Sequence, residues 1–347
     1  MKAAVLEQLD RIVVKNVPDP VIGPDDALMK VHACAVCGSD IRIYHHGNNR
    51  VHPPAILGHE SAGEIVAVGE RVSGFKPGDR IALGADVPCG ECAVCKAGYG
   101  NNCQINYAMG YQFQGSFAEY VPLNKTTLNY GPVHKIPDNV SYDEAALAEP
   151  LACVLNAIEF TGIKLGDTVV VMGAGPIGCM IMPVAIMSGA TKIIAINRSP
   201  GRLEFAKEAG ADVTICMAEE DHIERILEET DGQGADVVFT ANPTPASHIE
   251  ALKIAKNRGR VNLFGGLPAG TKVELDTNLI HYKELLVSGA HGSVPRHHKM
   301  AIDLIASGKI NIGKFISHRL PLSEAAEAFR IAESKEGLRV LVKPWEL

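Results

Sequence analysis

From Met1 to about Asn139 the hydrophobic positions come in short alternating runs, such as Ala62 to Val68 and Arg80 to Ala85, separated by Gly, Pro and Asp. A period of two sends successive side chains to opposite faces, so this stretch is expected to be β-rich. Near Tyr142 the pattern lengthens. Asp143 to Glu149 and Leu151 to Phe160 read as helical, and after Gly166-Asp167 an apolar run, Thr168–Met172, begins a strand-and-helix alternation. Its candidate strands are Thr168–Met172, Lys192–Ile196, Val213–Ile215, Asp236–Thr240, Arg260–Phe264 and Glu284–Ser288, with helical stretches between most of them. Strands joined by helical crossovers predict an α/β fold with a doubly wound parallel sheet. Beyond Ser288 come a helix at His297–Ser307, a short run at His318–Leu320, a helix at Ser323–Ser334 and a last strand, Arg339–Lys343.

Composition narrows the classes. The chain has 347 residues, 46% hydrophobic and 21% charged, enough to bury a large core in two domains. A net charge of −7 without a long basic run argues against a nucleic-acid partner. The stretch Thr168 to Ala195 is broken by three glycines before Pro183, so no membrane span is expected. With no positive-then-apolar leader pattern, the expected compartment is the cytoplasm. Five of the nine cysteines crowd between Cys37 and Cys103, which in a reducing compartment points to metal before disulfides.

Cys89, Cys92, Cys95 and Cys103 form C-x2-C-x2-C-x7-C, with Gly90, Gly98 and Gly100 between them. Four thiolates complete a tetrahedral zinc and leave no open position, which is the chemistry of a structural site that ties a loop down. An iron–sulfur cluster also takes four cysteines, but its signature spacings differ. A different set lies upstream. Cys37, then His59 and Glu60 beginning 22 residues later, offer a thiolate, an imidazole and a carboxylate. Three protein ligands leave a zinc position for water or a substrate oxygen, as Lewis-acid catalysis requires. Glu149 is a candidate fourth, exchangeable ligand. Two zinc ions per chain follow.

Gly173-x-Gly175-Pro176-Ile177-Gly178 follows a strand and opens a helix, the context in which this motif cradles a dinucleotide pyrophosphate. Nineteen residues after Gly178, where an acid would hold the ribose hydroxyls of NAD, stands Asn197, followed by Arg198, Ser199 and, further on, Arg202. Loss of the repelling charge and gain of guanidinium donors favour NADP over NAD, with tolerance of both coenzymes as the competing reading. Arg296 to Lys299 reads as a solvated helix start, with a contact to a phosphorylated sugar as its alternative.

These motifs, with Cys37-Gly38-Ser39-Asp40, Gly58-His59-Glu60, Gly115-Ser116-Phe117-Ala118-Glu119-Tyr120 and Glu149-Pro150-Leu151, resemble the zinc-dependent medium-chain dehydrogenases, in the sorbitol and threonine dehydrogenase branch. The resemblance implies a Rossmann coenzyme domain at 153–285 inserted in a GroES-like, β-barrel catalytic domain at 1–152, to which 286–347 returns. It implies Cys37, His59 and Glu60 as catalytic zinc ligands with Glu149 beside them, and Ser39 as the hydroxyl that contacts the substrate oxygen. It further implies a small alcohol or polyol substrate, or a sugar-derived ketone in reverse, and a homodimer or homotetramer. Where related enzymes often carry a proton-relaying histidine, five residues after the zinc cysteine, this chain has Arg42. A guanidinium cannot act as a base near neutral pH, so His45 or His46 is the substitute, against an exposed pair with no role. Two other readings compete: a non-catalytic zinc scaffold or regulator on the same fold, and a metal-free quinone-reductase-like enzyme. The complete zinc sets argue against both.

Overall fold

The computed structural model describes residues 1–346. The chain divides into two compact units, Met1–Ala152 with the segment from Gly292 onward, and Cys153–His291. A return at 286 is too early: the strand Leu286–Gly289 pairs in parallel with Ala255–Leu263 and so completes the sheet of the second unit. Edge-strand hydrogen bonds keep those residues with the sheet, and the chain leaves only after them.

In the first unit the alternation seen in the sequence becomes a seven-stranded sheet. Ala27–Ala35 is its central strand, with burial that alternates until both faces are covered near Ala33 to Ala35. On one side it pairs antiparallel with Glu60–Val68, setting Ala35 opposite Glu60. On the other it pairs with the last strand, Arg339–Lys343, setting Ala35 opposite Leu341. The end of one strand therefore meets the start of another and a strand from the far end of the sequence. Beneath them Leu57, Ile65, Ile81, Phe117, Phe329 and Val340 form a continuous apolar core. Each such side chain contributes about 1.5–3 kcal/mol by leaving water.

The second unit is a six-stranded, wholly parallel sheet. Its spatial order is Val213–Cys216, Lys192–Asn197, Thr168–Met172, Ala235–Thr240, Ala255–Leu263 and Leu286–Gly289. The order runs outward in both directions from Thr168–Met172, and that reversal makes the crevice at its carboxyl end the place for a ligand. Val170, Met172, Ile194, Ile196, Val238 and Val261 are buried in the core, which explains the unbroken apolar runs in place of alternation. Among the described residues no helix is long and apolar enough to cross a membrane.

Candidate metal centres and coenzyme loop

Cys37 stands at the N-cap of the helix Gly38–His46, just past the end of Ala27–Ala35. Its backbone N–H donates to Asp40 Oδ2 at 3.0 Å, which fixes the turn. His59 and Glu60 arrive on the neighbouring strand, and the donor atoms of Cys37, His59 and Glu60 all lie within 4.8 Å of one another. His59 and Glu60 are almost wholly buried. Asp40 Oδ1 faces His59 Nδ1 at 3.4 Å, so the other ring nitrogen, Nε2, points to the cluster. Ser39 Oγ lies 3.3 Å from that Nε2.

On the far side Arg339 donates to Glu60 Oε1 at 3.0 Å and to the Val36 carbonyl at 3.3 Å. Glu149, in the first turn of Ala148–Thr161, is also buried. Burial, and then the charge of Glu60, push its carboxyl up to about 8. Burial likewise raises Glu60, although Arg339 opposes it. Anionic donors crowded into a dry place raise one another's affinity for protons, and a divalent cation relieves this more effectively than a proton can. The soft-and-hard donor set of one sulfur, one nitrogen and one carboxylate suits zinc.

The cysteine lobe brings its four sulfurs together within 4.8 Å. Cys92 and Cys95 are 3.4 Å apart and Cys89 and Cys95 3.8 Å. A tetrahedron of about 2.3 Å metal–sulfur bonds sets its sulfurs about 3.8 Å apart, whereas a disulfide needs about 2.05 Å. The spacing fits zinc and excludes a bridge. Backbone N–H groups of Glu91 and Cys92 point at Cys89 Sγ, and that of Cys89 points at Cys103 Sγ. Such donors hold thiolate charge; with N–H groups of Gln104 and Cys95 aimed at it, the Cys92 thiol falls to about 6, while burial and its neighbours push Cys95 up to about 12.

In the second unit the glycine turn has strict steric reasons. Gly173 has φ +110, open to glycine above all, and a Cβ on Gly178 would sit 1.9 Å from the Gly173 carbonyl oxygen. The helix Pro176–Met187 starts there with Pro176 and Ile177 in its first turn. Asn197 closes the adjacent strand: its Oδ1 accepts from Ala174 N–H at 3.2 Å and its Nδ2 donates to the Ser199 carbonyl at 2.9 Å. Arg198 and Ser199 are exposed. Arg202 leans toward the glycine turn, with Nη1 3.2 Å from where a Gly175 Cβ would be.

Not every candidate is gathered into these sites. Both ring nitrogens of His45 are engaged at the surface, Nδ1 by Asp10 and Nε2 by Glu333. The helix start at Arg296 to Lys299 is solvated only in part: Arg296 and Lys299 are exposed, Lys299 pairing with Asp303 at 2.6 Å, whereas His297 and His298 are buried. Conversely, three residues escaped the sequence reading. Asp40 sat inside a quoted motif, and its three-residue spacing from Cys37 is a capping signal. Arg339 lies 279 positions from Glu60, so nothing local announces it. Tyr111 lies with its ring 6.0 Å from that of His59 and carried no pattern at all.

A thiolate–imidazole–carboxylate cluster in one unit and a dinucleotide turn in the other define a metal-using oxidoreductase. Residues 23–138 match the alcohol dehydrogenase GroES-like domain and residues 176–307 the zinc-binding dehydrogenase domain. Sorbitol dehydrogenase of Bacillus subtilis (strain 168) is 35% identical over 350 residues, covering 99% of this chain and 97% of that one. D-arabitol-phosphate dehydrogenase of Enterococcus avium is 34% identical over 338 residues, covering 96% and 94%. The crystal structure of a zinc-binding dehydrogenase from Sinorhizobium meliloti 1021, bound to NADP, superimposes with a TM-score of 0.92 at 36% identity over 99% of both chains. The chain belongs to the zinc-binding alcohol dehydrogenase family, and it is a dehydrogenase.

Proposed function

We propose that the protein transfers a hydride between a polyol or related secondary alcohol and a nicotinamide coenzyme, with NADP preferred, and that it holds two zinc ions. The observation that carries this reading is the convergence of Cys37, His59 and Glu60 beside the Ser39 hydroxyl. When bound there, zinc supplies a Lewis acid that stabilises negative charge on the alcohol oxygen, and the coenzyme supplies the redox chemistry. Ser39 is placed to take the hydroxyl proton of the substrate while its own hydroxyl proton passes on to solvent water, so that the serine stays neutral. Asp40 keeps His59 in the required tautomer, and Arg339 keeps Glu60 charged and aimed. Glu149 is the exchangeable carboxylate next to them. Cys89, Cys92, Cys95 and Cys103 hold the second, structural ion.

His45, with both nitrogens occupied, has no part in this route. Gly173, Gly175, Pro176, Ile177 and Gly178 receive the pyrophosphate, and Arg198 with Ser199 receives a 2′-phosphate. The polyol class rests on the relatives named sorbitol and arabitol-phosphate dehydrogenase. A cytoplasmic setting fits nine free cysteines. A homodimer or homotetramer fits the edge strand Leu286–Gly289, where Leu286 is 67% exposed.

The test is metal analysis joined to a coenzyme-reduction assay across a panel of polyols and secondary alcohols. Two zinc ions per chain and turnover of at least one secondary alcohol are expected, with activity lost to a chelator. A zinc-loaded protein that oxidises no alcohol with either coenzyme would refute the reading.

A further inference from the structure

Tyr111 leads away from the Cys37 cluster to a cavity of about 600 Å³, with both polar and apolar walls, that lies wholly within the first unit. Asn49, Arg50, His52, Gln112 and Gln114 are on its walls, and no Asp or Glu lines it. Both glutamines are committed to backbone. Gln112 accepts from Ala108 N–H and donates to the Asn106 carbonyl, each at 3.2 Å, and Gln114 donates to the Tyr120 carbonyl at 2.9 Å. Arg50 is different. Its Nη1 donates to the Asn106 carbonyl at 2.8 Å, and its guanidinium lies 4.4 Å above the Tyr111 ring. Those two contacts fix the plane of the group while leaving further N–H donors unused. Among the described residues no carboxylate pairs with it. A half-buried guanidinium, pre-oriented and without a counter-ion, is the arrangement that takes a planar or tetrahedral anion.

We infer that Arg50 recognises an anionic group, a phosphate or a carboxylate, carried by the substrate a few carbons away from the hydroxyl that reacts. This rests on the dehydrogenase reading of the Cys37 cluster. Tyr111 is the measure of the distance: its ring lies 4.4 Å from the Arg50 guanidinium and 6.0 Å from the His59 ring. The Arg50 guanidinium and the His59 ring are therefore no further apart than those two steps laid end to end. An open chain, at about 1.5 Å per bond, spans a gap of that upper size with about seven bonds, the reach of a five- or six-carbon chain with its terminal anionic group. The substrate class is then a phosphorylated polyol or a polyhydroxy acid. An uncharged polyol would leave Arg50 without its partner.

The test separates this claim from the one it rests on. Inorganic phosphate and acetate are titrated calorimetrically into zinc-loaded protein saturated with NADP, which keeps the coenzyme loop occupied. Arg50→Gln is expected to weaken binding about tenfold or more, with Arg50→Lys retaining part of it. The tighter of the two probes identifies the anion as phosphate or carboxylate. In turnover, the ratio of kcat/KM for a polyol phosphate or aldonate over its parent polyol falls about tenfold in Arg50→Gln, chiefly through KM. If Arg50→Gln does not fold, the same comparison is made with Arg50→Lys, whose lost fork lowers the ratio less. Turnover of neutral polyols with no Arg50-dependent phosphate or acetate binding overturns the anion site alone. Arg50-dependent binding in a protein that turns over no alcohol overturns the dehydrogenase reading and keeps the anion site.

Discussion

The cysteine lobe takes all four of its donors from one stretch, Cys89 to Cys103, around a four-residue helix and a few glycine turns. The Cys37 cluster takes its three from a helix cap and the start of a neighbouring strand, and its support from Arg339 at the other end of the chain. The lobe is partly exposed and is ordered mainly by its own sulfurs and backbone N–H groups. The open cluster is half-buried at Cys37 and buried at His59 and Glu60, and it is ordered by the sheet. A site built locally depends on its metal for structure, whereas a site built by the fold exists before the metal arrives and keeps a position for chemistry. That difference sets what each should lose under mutation.

The largest effect follows from removing one donor from each. Cys37→Ser should lower kcat by at least about a thousandfold while the melting temperature stays close to that of the parent, because the sheet positions its neighbours regardless. Cys103→Ser should lose one zinc and several degrees of thermal stability. Metal content, melting curves and turnover on the same two preparations decide it. Equal destabilisation by both substitutions would erase the distinction between the sites.

A long-range tie can be cut without touching a metal-type donor. Arg339→Ala leaves Glu60 buried and without its cation, and breaking a buried pair from one side costs about 3–5 kcal/mol. Urea unfolding of metal-free protein should show that loss. Arg339→Lys should recover part of it, since an ammonium reaches the carboxylate but cannot also hold the Val36 carbonyl in the same plane. A metal-free Arg339→Ala protein as stable as its parent would show that Glu60 is not held by this contact.

Legibility follows the same division. Cys89, Cys92, Cys95 and Cys103 were readable together because their chemistry is written at close spacing. The turn from Gly173 to Gly178 was readable because each glycine answers a steric demand within a few residues. The parallel sheet announced itself through apolar runs bounded by turns. Arg339 and Tyr111 were not readable, because their meaning arises from strand pairing and packing that no local period encodes. His298 was misread as solvent-facing for a related reason: a polar residue at a helix start looks exposed until the sheet behind it is known. The strand that ends the coenzyme unit was legible, as the run Glu284–Ser288; the boundary at 285 came from the resemblance and cut through that run.

His298 gives the comparison a buried counterpart with no sulfur or carboxylate in the pair. Its Nδ1 faces His134 Nδ1 at 2.9 Å, a contact that requires a proton on one nitrogen and a lone pair on the other. Burial drives His298 down to about 3 and His134 to about 4. Because the folded values lie below the ordinary value near 6.5, the unfolded chain takes up protons first as pH falls. The contribution is whole above about pH 6.5 and is lost progressively down to the folded values. For His298 alone the loss between about pH 6.5 and 5 is about 2 kcal/mol. Urea unfolding at both pH values should show a shallower dependence in His298→Gln than in the parent. The same slope in both would mean that acid acts elsewhere.

The smallest expected effect is at the coenzyme turn, where order is local, as in the cysteine lobe, but the donors are cations, Arg198 exposed and Arg202 half-buried. Asn197 brings no negative charge to the place where an acid would repel a 2′-phosphate, and its amide is used to tie Ala174 to the Ser199 carbonyl. Arg198 is exposed, and among the described residues no carboxylate pairs with it. Arg202 leans toward Gly175, on the pyrophosphate side of the turn. The two arginines should therefore separate by function. Arg198→Ala should lower the preference for NADP over NAD by about tenfold, the worth of one charge-assisted contact of about 1.5–3 kcal/mol. Arg202→Ala should weaken both coenzymes alike and leave their ratio near that of the parent. Adding Asn197→Asp to Arg198→Ala should turn the preference toward NAD, because the new carboxylate repels the phosphate and can accept from both ribose hydroxyls. Catalytic efficiency with each coenzyme in the parent and the three variants measures this. A parent enzyme that favours NAD, or a ratio that moves equally with Arg198 and Arg202, would show that this exposed loop does not select the phosphate.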